Sequence, residues 1–413
     1  MLKHPSKGII GSVSDELSGM NIVVAVTSGI AIYRVPDIVR GLMRRGANVY
    51  VVMSKEATKL VSPEVFRWAS GNEVFVEFKG EVGHVALSRE CNALLIIPAT
   101  ANTLSKVANG IADTSVTLLT LNFMGLRKKV IAVPTMHEPM YRSPQVKEVI
   151  RKLKSYGVYI IEPVVEQGKA KIPSNEEIVE RVATYLARGL DFKGIKALVT
   201  AGPTREFLDP VRFLTNASTG RMGVAIAKEL TYRGAEVILV HGPLCGVEPP
   251  RGILKVAIET TEDMLREVKN IVAEMRDLDL VVMAAAPADF RFKVVSKRKL
   301  DSSKGFLVEL EPTPKILPEL RKLLGSAVIV GFAAETVGGS RELLVKKAKE
   351  KLLKYGVDLI VANDVSRKDI GFASLFNEVA IVRKDGRIRY VNKMRKEVIA
   401  RVIVDEIRGL IRK

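Results

Sequence analysis

Cysteine and histidine are scarce in this chain, two and four residues among 413. Two cysteines, Cys91 and Cys245, cannot build a disulfide framework or a cysteine-rich zinc module, and four histidines leave no His-rich metal site. Aromatic residues are few as well, 6% of the chain with a single tryptophan. No uninterrupted apolar run approaches the roughly 18 residues that a membrane helix needs. The best candidates, residues 93–101 and 278–288, are short and contain proline. The first residues lead into no apolar core of the signal-peptide kind, so a cytoplasmic protein without a membrane partner is expected. Glycine and proline, 31 and 18 residues, are too sparse for a disordered or collagen-like chain.

What is abundant points elsewhere. Hydrophobic residues make up 47%, enough for real cores, and at about 150 residues per domain the length predicts two or three domains. Lysine and arginine exceed aspartate and glutamate by 64 to 46, a net charge of +18. That excess suits an anionic partner. No helix-turn-helix, RNP-type or zinc pattern accompanies it, so phosphate-bearing small molecules are expected rather than nucleic acid.

Residues 1–17 read as a polar arm. Residues 21–27 form a continuous apolar run ending in Ser28-Gly29, then a helical stretch over 30–45, then a second strand from Val49. Strands follow at 94–98 and 130–134. A second opening of the same kind begins at 197–201, with a loop over 202–220, a helix over 221–233 and strands at 237–240, 280–285, 328–332 and 359–362. Continuous apolar strands alternating with helices predict parallel sheets. Two openings in one chain predict two doubly wound, Rossmann-like α/β domains, at 18–188 and 195–413, joined by a linker at 189–194.

In such sheets ligands bind beyond the carboxyl ends of the strands. At the first domain's strand ends stand Ser28, Gly29, Ser54, Ala99, Thr100, Asn102 and Thr103. Hydroxyls and amides with no cation among them suit the phosphate and ring edge of a flavin mononucleotide, although each hydroxyl singly also reads as a helix cap. His84 and His137 sit beside strand ends, where an imidazole can move protons near neutral pH. In the second domain, Asn216 and the loop Ser218-Thr219-Gly220 precede a helix, an anion-binding arrangement. Asp289 caps another strand end, and Lys299 lies in a basic run. Small loops, lysines and an acid at strand ends suit a nucleoside triphosphate and its metal.

With these motifs in place, the chain resembles the bifunctional family of coenzyme A biosynthesis that fuses phosphopantothenoylcysteine decarboxylase to phosphopantothenate–cysteine ligase. The resemblance spans nearly the whole chain and has an archaeal character. The first half carries Thr27-Ser28-Gly29-Ile30-Ala31, Met53-Ser54, His84 and Pro98-Ala99-Thr100-Ala101-Asn102, together with the loop at 134–140 that ends in Met140. The more specific marks are in the second half: Gly202-Pro203-Thr204-Arg205-Glu206, Asp209-Pro210-Val211-Arg212-Phe213, Ser218-Thr219-Gly220-Arg221-Met222-Gly223, Gly331-Phe332-Ala333-Ala334-Glu335-Thr336 and Ala362-Asn363-Asp364.

The resemblance implies a flavodoxin-like FMN domain and a nucleotide-binding ligase domain. The ligase half would activate 4′-phosphopantothenate with CTP and Mg²⁺ as an acyl-cytidylate, which cysteine then attacks. The FMN half would oxidise the new thiol, release CO₂ and reduce the resulting enethiolate to 4′-phosphopantetheine. His84 and Asn216 take catalytic positions. Ala284, Ala285, Asp289, Lys299, Thr313, Pro314, Lys315, Ile316, Phe332 and Lys351 take nucleotide contacts; the family's contact at the next helix end falls on Tyr355, with Lys354 beside it as the candidate. Arg212, Ser218, Thr219, Gly220 and Met140 take substrate contacts, and no metal ligands are assigned. A large homo-oligomer of trimeric flavin domains and dimeric ligase domains is implied. Two departures stand out. His137 replaces the asparagine of bacterial members. The flap at 162–171 lacks their proton-donating cysteine, which leaves His137, Lys169 and Lys171 as candidate donors. A ligase joined to an FMN-binding half that does not complete the decarboxylation is the alternative.

Overall fold

The computed structural model describes residues 4–78, 83–303, 305–367 and 369–411. The chain divides into two compact units, Met1–Gly189 and Leu190–Lys413.

The first unit is built on a six-stranded sheet in which all neighbours run parallel. Its order is Val74–Phe75, Asn48–Met53, Asn21–Val26, Ala93–Ala99, Lys129–Pro134 and Tyr159–Ile160. Numbered along the chain this is 3-2-1-4-5-6, the Rossmann order. Without the edge strand Val74–Phe75 it reduces to 2-1-3-4-5, the flavodoxin order. Either way the winding reverses between Asn21–Val26 and Ala93–Ala99, so a crevice opens at their carboxyl ends. Alternate residues of one strand feed opposite cores, as the pleat demands: Ile22, Val24 and Val26 go to one side, Val23 and Ala25 to the other. Both faces are covered by helices, which is why these strands run apolar through their buried length, with polar residues such as Asn21, Asn48 and Lys129 at their starts. A small antiparallel sheet joins Met136–His137, Lys169–Lys171 and Val164–Glu166.

The expected N-terminal arm is instead part of this unit. Pro5–Ile9 forms a 3-10 turn, Ser6 donates from its hydroxyl to the Trp68 carbonyl at 2.5 Å, and Leu17 is fully buried in the core. One turn of polar residues hides an anchor that only long-range packing reveals.

The second unit holds an eight-stranded sheet: Leu254–Ala257, Glu236–His241, Lys196–Ala201, Leu280–Met283, Val328–Glu335, Leu359–Asp364, Phe376–Arg383 and Ile388–Arg395. The first six run parallel and the last two form an antiparallel hairpin. The winding reverses between Lys196–Ala201 and Leu280–Met283. The stretch over 202–220, expected as plain loop, contains a two-stranded ribbon, Arg205–Phe207 with Phe213–Thr215. A second ribbon pairs Phe290–Phe292 with Leu310–Pro312.

The expected linker at 189–194 also contributes to packing. Phe192 is fully buried in the second unit's core, and Arg233 donates to both carboxylate oxygens of Asp191 at 2.8 and 2.5 Å. No helix among the described residues is long and apolar enough to cross a membrane.

Candidate active sites

In the first unit, the strand ends at the reversal carry the expected residues. Thr27 closes the crevice floor by donating to the Pro98 carbonyl at 2.6 Å. Gly29 sits against Pro98 so closely that a Cβ would come within 3.0 Å of the proline ring and 3.2 Å of Thr135. Ser54 and Ala99 are buried, and Ser54 accepts from the amide of Ala57 at 3.3 Å. Thr100 caps the helix Ala101–Ala108, accepting from the Thr103 amide at 3.3 Å with the two hydroxyls 3.1 Å apart. The capping reading therefore describes Thr100, Thr103 and Ser54 as they stand. Ser28 and Asn102 are exposed at the same edge.

His84 lies on the helix Gly83–Glu90 with its ring 5.6 Å from that of Phe78. Its Nδ1 is buried without a partner among the described residues. Glu81 and Val82, which precede it in the motif, lie outside the described residues. His137 is exposed on its short strand, and Met140 is half exposed on the following helical turn. These features fit a flavin: a glycine in close contact with Pro98 and Thr135, two exposed polar side chains at the reversal, and a buried imidazole nitrogen without a partner among the described residues. Cys91 is excluded from the chemistry. It is fully buried beside the amino end of its strand, and burial pushes its thiol up to about 12.

A cleft of about 290 Å³ opens in the second unit. Its wall gathers Asn216, Ser218, Thr219 and Gly220 with Ala284, Ala285 and Asp289, and with Thr313, Pro314, Lys315, Ile316, Phe332 and Lys351. These residues are spread over 136 positions of the chain, and the parallel sheet together with the two antiparallel ribbons brings them to one wall. Gly220 opens the helix Arg221–Tyr232 at φ +79°, a left-handed conformation that favours glycine. Gly223 lets that helix press on the sheet, since a Cβ there would meet the Thr200 carbonyl at 2.6 Å.

The loop at 284–289 is pinned from several sides. Ala285 donates to Thr200 Oγ1 at 3.1 Å, Ala286 to the Gly202 carbonyl at 2.9 Å and Ala288 to Thr204 Oγ1 at 2.9 Å. Thr313 donates to the Ala288 carbonyl at 2.6 Å. Asn216 spans the cleft floor, its Nδ2 donating to the carbonyls of Ala286 and Pro287 at 3.2 and 2.9 Å. Both amide hydrogens are thereby used, and Oδ1 is left as an acceptor. Lys315 pairs with Asp289. Lys351 reaches Glu335 at 2.5 Å, with Lys347 at 3.2 Å. Burial would raise the Glu335 carboxyl, but the two lysines outweigh it and hold it below its usual range.

Three expected contacts are absent from this wall. Arg212 donates to Asp209 at 2.8 Å and to the Leu300 carbonyl at 3.1 Å, tying the ribbon to the segment after it. Lys299 is exposed in its basic run, and Lys354 is exposed on the helix Arg341–Tyr355. Tyr355, the next residue, lines the cleft, with Lys354 Nζ 5.9 Å from its ring centroid. One residue along a helix turns the side chain by about 100°, which decides between wall and solvent. Sequence reasoning missed Asn377, Phe372 and Lys396, which close the cleft from the carboxyl-terminal hairpin side. Lys396 sits in Arg395-Lys396-Glu397, a run that reads as solvated surface. Among the described residues no three His, Cys, Asp or Glu side chains group as metal ligands.

Two doubly wound units, one with a flavin-type crevice and one with a cleft at its strand ends, define a two-domain α/β protein of the flavoprotein class. Residues 10–187 match the Flavoprotein family and residues 192–410 match the DNA/pantothenate metabolism flavoprotein C-terminal domain. The chain is 41% identical to the Coenzyme A biosynthesis bifunctional protein CoaBC of Thermococcus kodakarensis, over 99% of this chain and 100% of that protein. It is 37% identical to the protein of the same name from Methanocaldococcus jannaschii, over 100% and 99%. The Bacillus subtilis protein of that name is 35% identical, over 95% and 98%. The chain belongs to the family of coenzyme A biosynthesis bifunctional proteins, and it is an enzyme with a flavoprotein domain that acts on small molecules.

Proposed function

We propose that the second unit joins 4′-phosphopantothenate to cysteine at the expense of CTP, and that the first unit decarboxylates the product to 4′-phosphopantetheine. The arrangement of Asn216 carries this reading. It ties the phosphate-type loop at 218–220 to the strand-end loop at 284–289, so the two faces of one cleft meet at its amide.

A carboxylate is a poor electrophile; attack of its oxygen on the α-phosphorus of CTP would expel pyrophosphate and leave an acyl-cytidylate, from which the cysteine amine would displace CMP. Lys315, Lys351 and the first amides of helix Arg221–Tyr232 supply positive charge where the triphosphate and the leaving pyrophosphate would lie. Mg²⁺ would arrive bound to the triphosphate rather than to a protein cage. The free Oδ1 of Asn216 would accept a hydrogen bond from the incoming cysteine amine and orient it on the activated carbonyl.

In the first unit Ser28, Gly29, Ser54, Ala99, Thr100, Asn102 and Thr103 would hold FMN. That cofactor supplies the two-electron oxidation and re-reduction of the substrate. His84 would hydrogen-bond the substrate at the reacting end through a ring nitrogen, and Met140 would border it. The exposed Ile30 and Tyr33 beside this crevice, 79% and 70% accessible, support association of copies through the flavin units. The exposed Leu307 and Val294 support association through the ligase units.

The test is to incubate the purified chain with 4′-phosphopantothenate, cysteine, CTP and Mg²⁺ and follow products by mass. Loss of 44 mass units from the cysteine adduct is expected. An adduct that persists would leave a ligase joined to an incomplete decarboxylase, and no adduct would overturn the ligase reading.

A further inference from the structure

Lys396 opens the helix Lys396–Arg408, yet its side chain is only 5% exposed. An ammonium has three donors. Among the described residues, Nζ has one acceptor, the Gly371 carbonyl at 2.8 Å. Among the described residues no carboxylate pairs with it. Its neighbour Glu397 is directed to Arg221 at 3.7 Å and Arg395 at 3.6 Å. A buried cation without a counter-charge is costly and is retained where something anionic completes it.

The surroundings say where that anion sits. Lys396 lines the same cleft as Asn216, Ser218 and Gly220. The helix opened by Gly220 has no side-chain cap and no acid in its first turn, so its first amides and Lys396 converge on one end of the cleft. Burial pushes the Lys396 amine down to about 8, and Arg221 pushes the same way against Glu397. Burial is the larger cause, so an anion reaching Nζ would offset the desolvation of this cation.

We propose that Lys396 is a substrate-binding residue of the ligase cleft that holds a phosphate group of a substrate lying over Gly220 and Arg221. This rests on the ligase reading above. The phosphate belongs either to the nucleoside triphosphate or to the phosphorylated acid, and the experiment separates them.

The full chain and its Lys396→Met and Lys396→Arg variants are titrated calorimetrically with CTP·Mg²⁺ and with 4′-phosphopantothenate, each beside its dephosphorylated counterpart, cytidine or pantothenate. Lys396→Met is expected to weaken one phosphate ligand about tenfold or more, the scale of a lost charge-assisted hydrogen bond. Cytidine and pantothenate should be unaffected, and Lys396→Arg should restore most of the affinity. Ligand-free Lys396→Met should melt no lower than the parent, because methionine fills the space without a buried charge. The ligand that weakens identifies the phosphate. Binding of both within twofold of the parent overturns the role of Lys396 and leaves the ligase reading standing. A parent that binds neither overturns the ligase reading itself. A second measurement needs no variant: amine-reactive labelling of the parent, read by mass at Lys396, should slow in the presence of the identified ligand, and an unchanged rate also overturns the proposal.

Discussion

His137 and Lys169 face each other directly across an antiparallel strand pair, with Met136 opposite Ala170 as the next step of the ladder. Side chains so opposed leave the same face with Cβ atoms about 5 Å apart. Lys171, two residues on, is tied to Glu166 at 3.0 Å and Gln167 at 2.8 Å. The strand pair thus presents an imidazole and an amine side by side, and Lys171 is engaged elsewhere.

His137→Asn is therefore expected to release CO₂ but to accumulate the unsaturated enethiol, while Lys169→Met completes the reduction. Product masses under single turnover distinguish them. Full reduction by His137→Asn with loss of reduction in Lys169→Met would assign the proton to the lysine. Loss of CO₂ release in His137→Asn would place the histidine earlier, in binding or decarboxylation.

Asn216→Ala should still release pyrophosphate from CTP and 4′-phosphopantothenate but form the cysteine adduct about 100-fold more slowly, the usual scale for removing one preorganised polar group. Pyrophosphate release and adduct mass are measured in parallel. Equal loss of both would mean that Asn216 acts by holding the carbonyls of Ala286 and Pro287, and that the loop rather than the acceptor matters.

Gly223→Ala should destabilise the second unit by about 1–3 kcal/mol, because the added methyl meets the Thr200 carbonyl at 2.6 Å and the Ala201 Cβ at 2.7 Å. Thermal unfolding followed through ligase activity should shift downward, while flavin absorbance from the first unit stays as in the parent. A shift in both signals would contradict separate folding of the two units.

Asp209 yields a pH prediction. Its carboxylate accepts from the amides of Val211 and Arg212 at 2.8 Å each, from Leu300 at 3.1 Å and from the Arg212 guanidinium at 2.8 Å. Burial would raise its pKa, but these bonds prevail and hold it at about 2. The unfolded value is about 3.9. A depressed carboxyl stabilises the fold fully above the unfolded value, and that contribution fades as pH falls from about 4 towards 2. Asp209→Asn should thus be less stable at pH 7 and should lose less stability than the parent between pH 4 and pH 2. Urea unfolding across that range checks it, and parallel slopes would refute the assignment.

Much of this molecule is set by local order in the chain. Strands such as Asn21–Val26 and Leu280–Met283 announce themselves because a strand covered on both faces is apolar throughout its buried positions. The loops that follow them are short and carry small or polar residues, so the strand-end residues from Ser28 to Asn102, and from Asn216 to Phe332, were legible before any fold was known. What the sequence could not decide is which side of an element meets the ligand and which distant segment closes the site. Lys354 and Tyr355 are adjacent, yet only the tyrosine lines the cleft. Arg212 belongs to a mark of the family but spends its guanidinium on Asp209 and Leu300. Leu17 and Phe192 looked like arm and linker until their cores formed around them. Lys396 reads as surface in a charged run, and it becomes a buried cation because the hairpin Phe376–Arg383 and Ile388–Arg395 pairs onto the sheet edge beside Leu359–Asp364. Such burial depends on contacts between segments far apart in the chain, and local periodicity carries no record of them.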